Sequence, residues 1–537
     1  MEREKVLHLI LSETIASKPQ DDDAFMRLNR TIAAKHNLPP QPKNDLRTVY
    51  QTMLKNGEIS PSVHLNKFLK IRPIRTLSGV TPVTVLTKPF ACPGKCIYCP
   101  LEPGMPKSYL SNEPGAMRAK ANKFDPFMQV YNRLRALYIN GHEPDKIELL
   151  VLGGTWSAYP RDYREWFIKR CFEGANYFKF KLEKKPIPKK VRSYTLQQAQ
   201  KINETAHYRI IGITLETRPD WVDENEIRHL RKLGCTRVQL GIQVLDDAIL
   251  EKIERGHTVE DSIRATSLLR QNGFKIDHHI MQNLPGATPE IDHDTLHRIF
   301  DDPGFKPDQV KIYPTIVNKF APLYHWWKSG VYKPYGHDKL FELLIDLKQI
   351  VPYYCRINRV IRDFPETSIQ AGNKITNLRE MLEKEMKKRG MRCHCIRCRE
   401  ARKIETHNDI QLYIDEFEAA GGKEFFVSYE NTDRTILYGF VRVRLNDPKT
   451  KVLFPELEGA ALTRELHVYG QVVRHDDKEN KRVQHKGLGS KLMRHAEDIA
   501  KKHGLTKMAV ISGIGVRQYY KDRLGYELEG TYMTKDL

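Results

Sequence analysis

Cys92-Pro-Gly-Lys-Cys96-Ile-Tyr-Cys99 is the stretch on which the reading of this chain turns. Three thiols spaced C-x3-C-x2-C can ligate three irons of a [4Fe–4S] cluster, which leaves the fourth iron open to a substrate ligand. A zinc ion would need a fourth protein ligand close by, and none follows at the usual spacing. The group lies just after an apolar stretch, Val80–Phe90, and similar stretches recur at Lys146–Gly154, Arg209–Thr217, Arg237–Leu245, Lys275–Leu284 and Gln309–Val317. Between them, Asp125–Asn140 and Thr258–Asn272 carry apolar residues at helical spacing. Strands alternating with helices predict an α/β fold, a partial parallel (β/α)6 barrel over residues 76–355. The strands run into turn or polar residues such as Gly153-Gly-Thr155, Glu216-Thr-Arg-Pro-Asp220 and Gly241-Ile-Gln243, and the C-terminal strand edge of such a barrel is where sites are built.

The cysteine motif resembles that of the radical S-adenosylmethionine superfamily. That resemblance implies S-adenosylmethionine bound at the open iron and its reductive cleavage to a 5′-deoxyadenosyl radical. It also implies an adenine-packing role for Tyr98 and, for Gly153 and Gly154, backbone contact with the methionine part. A tight turn after a strand would equally account for the two glycines.

The chain has 537 residues, too many for one core, and carries 88 Lys and Arg against 67 Asp and Glu, a net charge of +21. That excess favours a polyanionic partner, although net charge by itself specifies none. It is concentrated in places. Residues 1–75 read as a small basic helical segment expected to bind nucleic acid. Lys179–Arg192 holds seven basic residues and one acidic, with prolines that keep it extended, and reads as a phosphate-facing loop. No apolar run is long enough to span a membrane, and the N-terminus lacks a secretory pattern, so a cytoplasmic location is expected.

Six of the nine cysteines fall into two groups, the first above and Cys393-His-Cys395-Ile-Arg-Cys398. Cys171 and Cys235 read as core residues. The second group offers three soft ligands within six residues of a basic linker, 356–400, a spacing suited to zinc. Its fourth ligand is open. His394 sits between two cysteines and converges poorly with them, which makes Cys355 the preferred candidate.

Residues 401–537 read as a separate mixed α/β unit: strand Ala461–Val473, a polar insertion, a glycine turn, helix Ser490–Lys502, strand Lys507–Ser512, helix Arg517–Leu524 and strand Tyr526–Met533. The turn Gln484-His-Lys-Gly487-Leu-Gly489 resembles the Q-x-x-G-x-G loop of the GCN5-related N-acetyltransferases. Glycines there let backbone N–H groups at a helix start approach a pyrophosphate, which implies acetyl-CoA.

The two units in one chain resemble the family of the Elongator catalytic subunit. The resemblance rests on Arg75–Gly79, Met117-Arg118, Asp125–Phe127, Lys311–Thr315, Arg359–Asp363, Arg464–Gly470 and Ile511–Tyr520. It implies formation of 5-carboxymethyluridine at the wobble position of tRNA, hence an anticodon stem-loop substrate, with acetyl-CoA activated by the radical. It implies that Lys146 contacts acetyl-CoA, that Glu465, Leu466, His467 and Val468 form the strand beside the thioester, and that Gln484, Gly487, Leu488, Gly489 and Ser490 form the pyrophosphate turn. Tyr520 falls at the position near the sulfur, with Tyr519 beside it as the alternative; Lys146, His467 and Tyr520 are the candidate catalytic residues. Other Elongator-type subunits or self-association are the implied partners. Met281-Gln-Asn-Leu-Pro-Gly286 departs from the family pattern in lacking a proline after methionine. The competing expectation is a protein lysine acetyltransferase that uses the iron–sulfur domain as a scaffold.

Overall fold

The computed structural model describes residues 2–71, 79–401, 409–469 and 487–537. Four helices, Glu2–Ser17, Asp22–Lys35, Lys43–Lys55 and Val63–Leu69, form the first unit around their own apolar cluster, which includes Val6, Ile10, Phe25, Leu46 and Phe68.

The strands β1 (Thr81–Leu86), β2 (Lys146–Leu152), β3 (Arg209–Thr217), β4 (Arg237–Gln243), β5 (Lys275–Ile280) and β6 (Gln309–Ile312) lie side by side in chain order, all parallel. A short pair, β7 (Ile316–Val317) with β9 (Ala371–Gly372), lies beyond them. The sheet gains a strand that the sequence reading placed in the linker: β8 (Arg356–Arg359) pairs parallel with β6. The seven strands form an open arc, since β1 and β8 each have a single neighbour. Every residue of β4 is buried, as expected for a central parallel strand with helices over the outer face and the arc curving round the inner one. Capping boxes at Thr195 with Gln198 and at Thr258 with Asp261 start two of the helices that connect the strands.

The last unit is a mixed sheet ordered β10-β11-β12-β13-β14-β16-β15. Three strands precede those expected from sequence: β10 (Ile410–Ala419), β11 (Gly422–Asn431) and β12 (Leu437–Asn446). They are followed by β13 (Ala460–Val468), β14 (Lys507–Val510), β15 (Glu527–Glu529) and β16 (Tyr532–Asp536), with helices Leu488–Lys502 and Arg517–Leu524. Gln484 and the rest of 470–486 lie outside the described residues, as do Arg75–Ser78 of the first matching block.

The second sheet docks on the end of the barrel where its strands begin. Asp308, next to the start of β6, accepts from Arg464 on β13 at 2.9 Å, and Arg464 also reaches Glu424 on β11 at 3.1 Å. Arg270 and Arg444 bond the same Glu424 at 3.2 and 3.1 Å. All five side chains are buried. Burial would raise the Asp308 carboxyl, but Arg464, Arg270 and Arg442 hold it below the ordinary carboxylate range. Gly513 and Gly515 close the other side: a Cβ on Gly513 would overlap the carbonyl of Ile211 on β3, and one on Gly515 would lie 2.6 Å from the Arg209 Cβ.

Candidate functional site

The cluster loop follows β1 at the C-terminal edge of the barrel. Cys96 is buried and accepts from Arg255 Nη1 at 3.3 Å, and Arg255 is itself fixed by the Gly241 carbonyl at 2.5 Å. Contact with Cys99, then Arg255 and Lys107, holds the Cys96 thiol well below its ordinary range against the cost of burial. Cys92 lies against Thr155 Oγ1 at 3.5 Å. The Cys99 and Cys96 side chains are in contact with each other.

These cysteines line a cavity of about 130 Å³ with Tyr98, Gly154, Glu216, Gln243, Arg255 and His279. Gly153 and Gly154 both have positive φ, 133° and 95°, but their surroundings differ. A Cβ on Gly153 would overlap Thr87, so close strand packing requires that glycine, whereas Gly154 opens toward the cavity with only Lys107 O within 3.8 Å. The buried His279 Nε2 has no hydrogen-bond partner, and its Nδ1 lies 3.5 Å from Glu216. Three thiols, a bare glycine and an unpartnered imidazole nitrogen around one space fit a cluster with a polar organic ligand.

A larger cavity, about 830 Å³, runs through the inside of the arc. A closed eight-stranded barrel fills that space with side chains; this open arc has a mostly apolar wall, with Pro82, Leu86, Leu150 and Leu152, and a polar wall with Arg237, Gln239, Gln309 and Lys311. Lys311 donates to Gln239 at 2.6 Å, and burial lowers its ammonium to about 8. Glu216, His279, Tyr313 and Arg362 line both cavities and so mark where they meet. Arg362 is sandwiched between the Tyr109 and Phe364 rings at 4.5 Å each and bonds Ser108 Oγ at 2.7 Å.

At its other end the large cavity reaches β13. Strand β13 pairs with β14 only from Ala460 to Thr463, then continues along β12 alone to Val468, so the two strands part at Arg464. The expected thioester strand is the free part of β13, and its side chains alternate between two environments. Glu465 and His467 face the barrel cavity. Burial opposes the Glu465 charge, yet Lys275 at 3.5 Å and Arg442 at 2.9 Å hold that carboxyl well below its ordinary range. Burial lowers the His467 imidazole, whose Nε2 has no partner. Leu466 and Val468 point the other way, to within 3.9 and 3.8 Å of a Cβ built on Gly489. Gly487, with φ 101°, caps the helix that begins Leu488-Gly489-Ser490. Lys146 opens β2, half-buried, on the same strand face as Glu148.

The two tyrosines separate. The Tyr519 hydroxyl bonds Ser490 and lies over Gly489, whereas Tyr520 is buried in the core beside Tyr526, ring centroids 6.0 Å apart. Of the pair, it is Tyr519 that the structure brings to the Gly487–Ser490 turn.

Residues 88–299 match the radical SAM superfamily, 307–388 the Radical_SAM C-terminal domain, and 391–526 the acetyltransferase (GNAT) family. Over 485 residues the chain is 43% identical to a tRNA uridine(34) acetyltransferase of Methanocaldococcus jannaschii, covering 87% of this chain and 86% of that one. It is 38% identical over 547 residues to human Elongator complex protein 3, covering 98% and 96%. The solved structure of Methanocaldococcus infernus Elp3 with an N-terminal deletion superposes with TM-score 0.72 at 39% identity, over 86% of this chain and all of that one. The chain belongs to the Elongator complex protein 3 family. It therefore combines the radical SAM and GNAT domains of that family in one polypeptide.

The second cysteine group is also assembled: the sulfurs of Cys393, Cys395 and Cys398 all lie within 4.8 Å of one another, close to the roughly 3.8 Å that a tetrahedral zinc–thiolate geometry sets. Cys355 is not brought into the group. It is fully buried, with its carbonyl accepting from Ile396 N at 2.9 Å, so the expected fourth sulfur is absent from the cluster. Sequence reasoning missed Arg255 and His279 at the first site, since neither belongs to a spaced motif, and it marked Gln243 only as part of a strand-end turn. Lys311 and Arg362 lay inside matching blocks, but a sequence block does not say which cavity a side chain faces. No helix among the described residues is long and apolar enough to cross a membrane.

Proposed function

We propose that this protein modifies the wobble uridine of tRNA in the cytoplasm, forming 5-carboxymethyluridine from acetyl-CoA as a carboxymethyluridine synthase. The observation that carries this reading is the continuous hollow barrel: one end meets the cluster cavity at Glu216 and His279, and the other ends at Glu465 and His467 where β13 parts from β14. A separate acetyltransferase would have no use for a cavity that joins its thioester strand to a radical site.

In this reading Cys92, Cys96 and Cys99 hold the [4Fe–4S] cluster and Gly154, Gln243, Arg255 and His279 surround S-adenosylmethionine. Bound there, the pair supplies a 5′-deoxyadenosyl radical able to take hydrogen from an unactivated methyl group. The Gly487–Ser490 turn takes the pyrophosphate of acetyl-CoA on free backbone N–H groups, with Tyr519 closing over it. The exposed backbone edge of β13 takes the pantetheine, and Lys146 and His467 stand on the barrel side of the thioester. His467, neutral through burial, can donate or accept one proton at Nε2. Tyr520 supports β13 from the core. Cys393, Cys395 and Cys398 hold zinc with a fourth ligand other than Cys355, and the helical segment 1–75 binds tRNA.

The test uses methyl-deuterated acetyl-CoA and a uridine-34 tRNA with reconstituted protein. Deuterium is expected in 5′-deoxyadenosine and a carboxymethyl group in the nucleoside digest. Acetylated lysine peptides made equally well by a cluster-free Cys96→Ser variant, with no label transfer, would instead establish the protein acetyltransferase.

A further inference from the structure

The segment Lys179–Tyr194 belongs to neither cavity. Its seven basic side chains, Lys179, Lys181, Lys184, Lys185, Lys189, Lys190 and Arg192, are all exposed, and the only acid among them, Glu183, pairs with Lys185 alone at 2.8 Å. Such a run could be a solvated face. Two further observations argue against that. The segment is pinned at its end: Ser193 is buried, its Oγ donates to Glu173 at 2.9 Å and its N–H to the Tyr177 hydroxyl at 3.1 Å. Tyr194 N–H then donates to Gln198 Oε1 at 2.8 Å in the capping box of helix Leu196–Thr205. An apolar residue just before such a cap ordinarily folds back on the first helical turn. The Tyr194 ring does not: it is 81% exposed, the most exposed large apolar side chain among the described residues, on a fixed backbone.

An aromatic ring standing free on an ordered backbone, next to a row of phosphate-binding cations, is the combination that single-stranded nucleic acid recognition uses. The position narrows the partner. The segment starts where the Phe178 ring packs on Tyr208, just before β3, at 4.7 Å between centroids, whereas the cluster loop follows the end of β1, so the two lie at opposite ends of the barrel. The paired strands between those ends are about seven residues long, roughly 23 Å.

We propose that Lys179–Tyr194 is a second RNA contact, in which the cations hold phosphates and Tyr194 stacks on an unpaired base of the tRNA body outside the anticodon stem-loop. The proposal rests on the reading that the chain acts on tRNA.

The test compares full-length chains, wild type, Tyr194→Ala, Tyr194→Trp and a Lys184, Lys185, Lys189, Lys190→Ser variant. Each is titrated with a full-length tRNA transcript and with its isolated anticodon stem-loop at several salt concentrations. Tyr194→Ala is expected to weaken tRNA binding roughly 5- to 100-fold, with Tyr194→Trp near wild type. The lysine variant is expected to lower the slope of log affinity against log salt by about 3. Neither should change binding of the stem-loop. Equal losses on both RNAs, or none on either, overturn the proposal while wild-type tRNA binding upholds the functional reading. Wild-type protein that binds neither RNA removes the functional reading and this proposal with it. Phosphatidylserine vesicles whose binding is weakened by Tyr194→Ala, with tRNA binding unmoved, would make the segment a membrane contact and likewise overturn it.

Discussion

The Tyr519 hydroxyl lies 2.8 Å from the place a Cβ would take on Gly489, while the neighbouring Tyr520 turns its ring into the core against Tyr526. One helix thus presents one tyrosine to the Gly487–Ser490 turn and one to the core of the second sheet.

Substitutions should separate these roles. Tyr519→Phe is expected to raise the Kd for acetyl-CoA several-fold with no change in Tm, because the lost group is a hydroxyl at a partly exposed turn. Tyr520→Ala is expected to cost about 3 kcal/mol or more in stability, as large-to-small core changes do. Tyr520→Phe should restore that loss. Acetyl-CoA titration calorimetry beside thermal melts decides it, and the reverse pattern would return the sulfur-side role to Tyr520.

At the cluster, Cys99→Ser should abolish reductive cleavage of S-adenosylmethionine, since a loop with two thiolates no longer presents three irons with ligands. Arg255→Met should leave iron and sulfide content near wild type yet weaken S-adenosylmethionine binding. Metal analysis and isothermal titration on anaerobically reconstituted protein measure the two separately. Cleavage at the wild-type rate in Cys99→Ser would remove the radical assignment.

Much of this arrangement was legible in the chain. The spacing Cys92, Cys96, Cys99 and the run of apolar stretches carry the barrel because ligand convergence and strand burial leave local marks. Other parts leave none. Strand β8 is Arg356-Ile-Asn-Arg359, four residues with one apolar side chain, and only its pairing with β6 makes it a strand. Gly513 and Gly515 were visible as glycines, but the reason for them is the backbone of β3, some 300 residues earlier. Cys355 was chosen as a ligand because it remained unassigned, and spacing cannot tell a buried core thiol from one that converges on an ion.

The second cysteine group predicts one equivalent of zinc in protein purified without added metal. Cys395→Ser should lose that zinc and lower Tm by several degrees, since a metal-held linker is stabilised by the binding free energy. Iron–sulfur content should be unaffected, because this group and the cluster loop are separate ligand sets. Elemental analysis of the variant checks both parts, and zinc retained at one equivalent would show that Cys395 is not a ligand.

Lys311 gives a prediction with a sign. Its ammonium falls from the usual 10.5 to about 8 on folding, because burial outweighs the attraction of Asp277 and Glu216. Between pH 8 and 10.5 the unfolded chain therefore binds a proton at this lysine that the folded chain does not, so the Lys311 contribution to stability rises with pH across that window. Below pH 8 both states are protonated, and the folded state carries the cost of a buried charge, about 3 kcal/mol for such a shift. Lys311→Met keeps the length and removes the charge. The difference in unfolding free energy between Lys311→Met and wild type should be largest, in favour of the variant, near pH 7 and shrink steadily toward pH 10.5. Denaturant unfolding of both proteins at half-unit pH steps measures that difference; a constant offset would show that Lys311 does not change its proton affinity on folding.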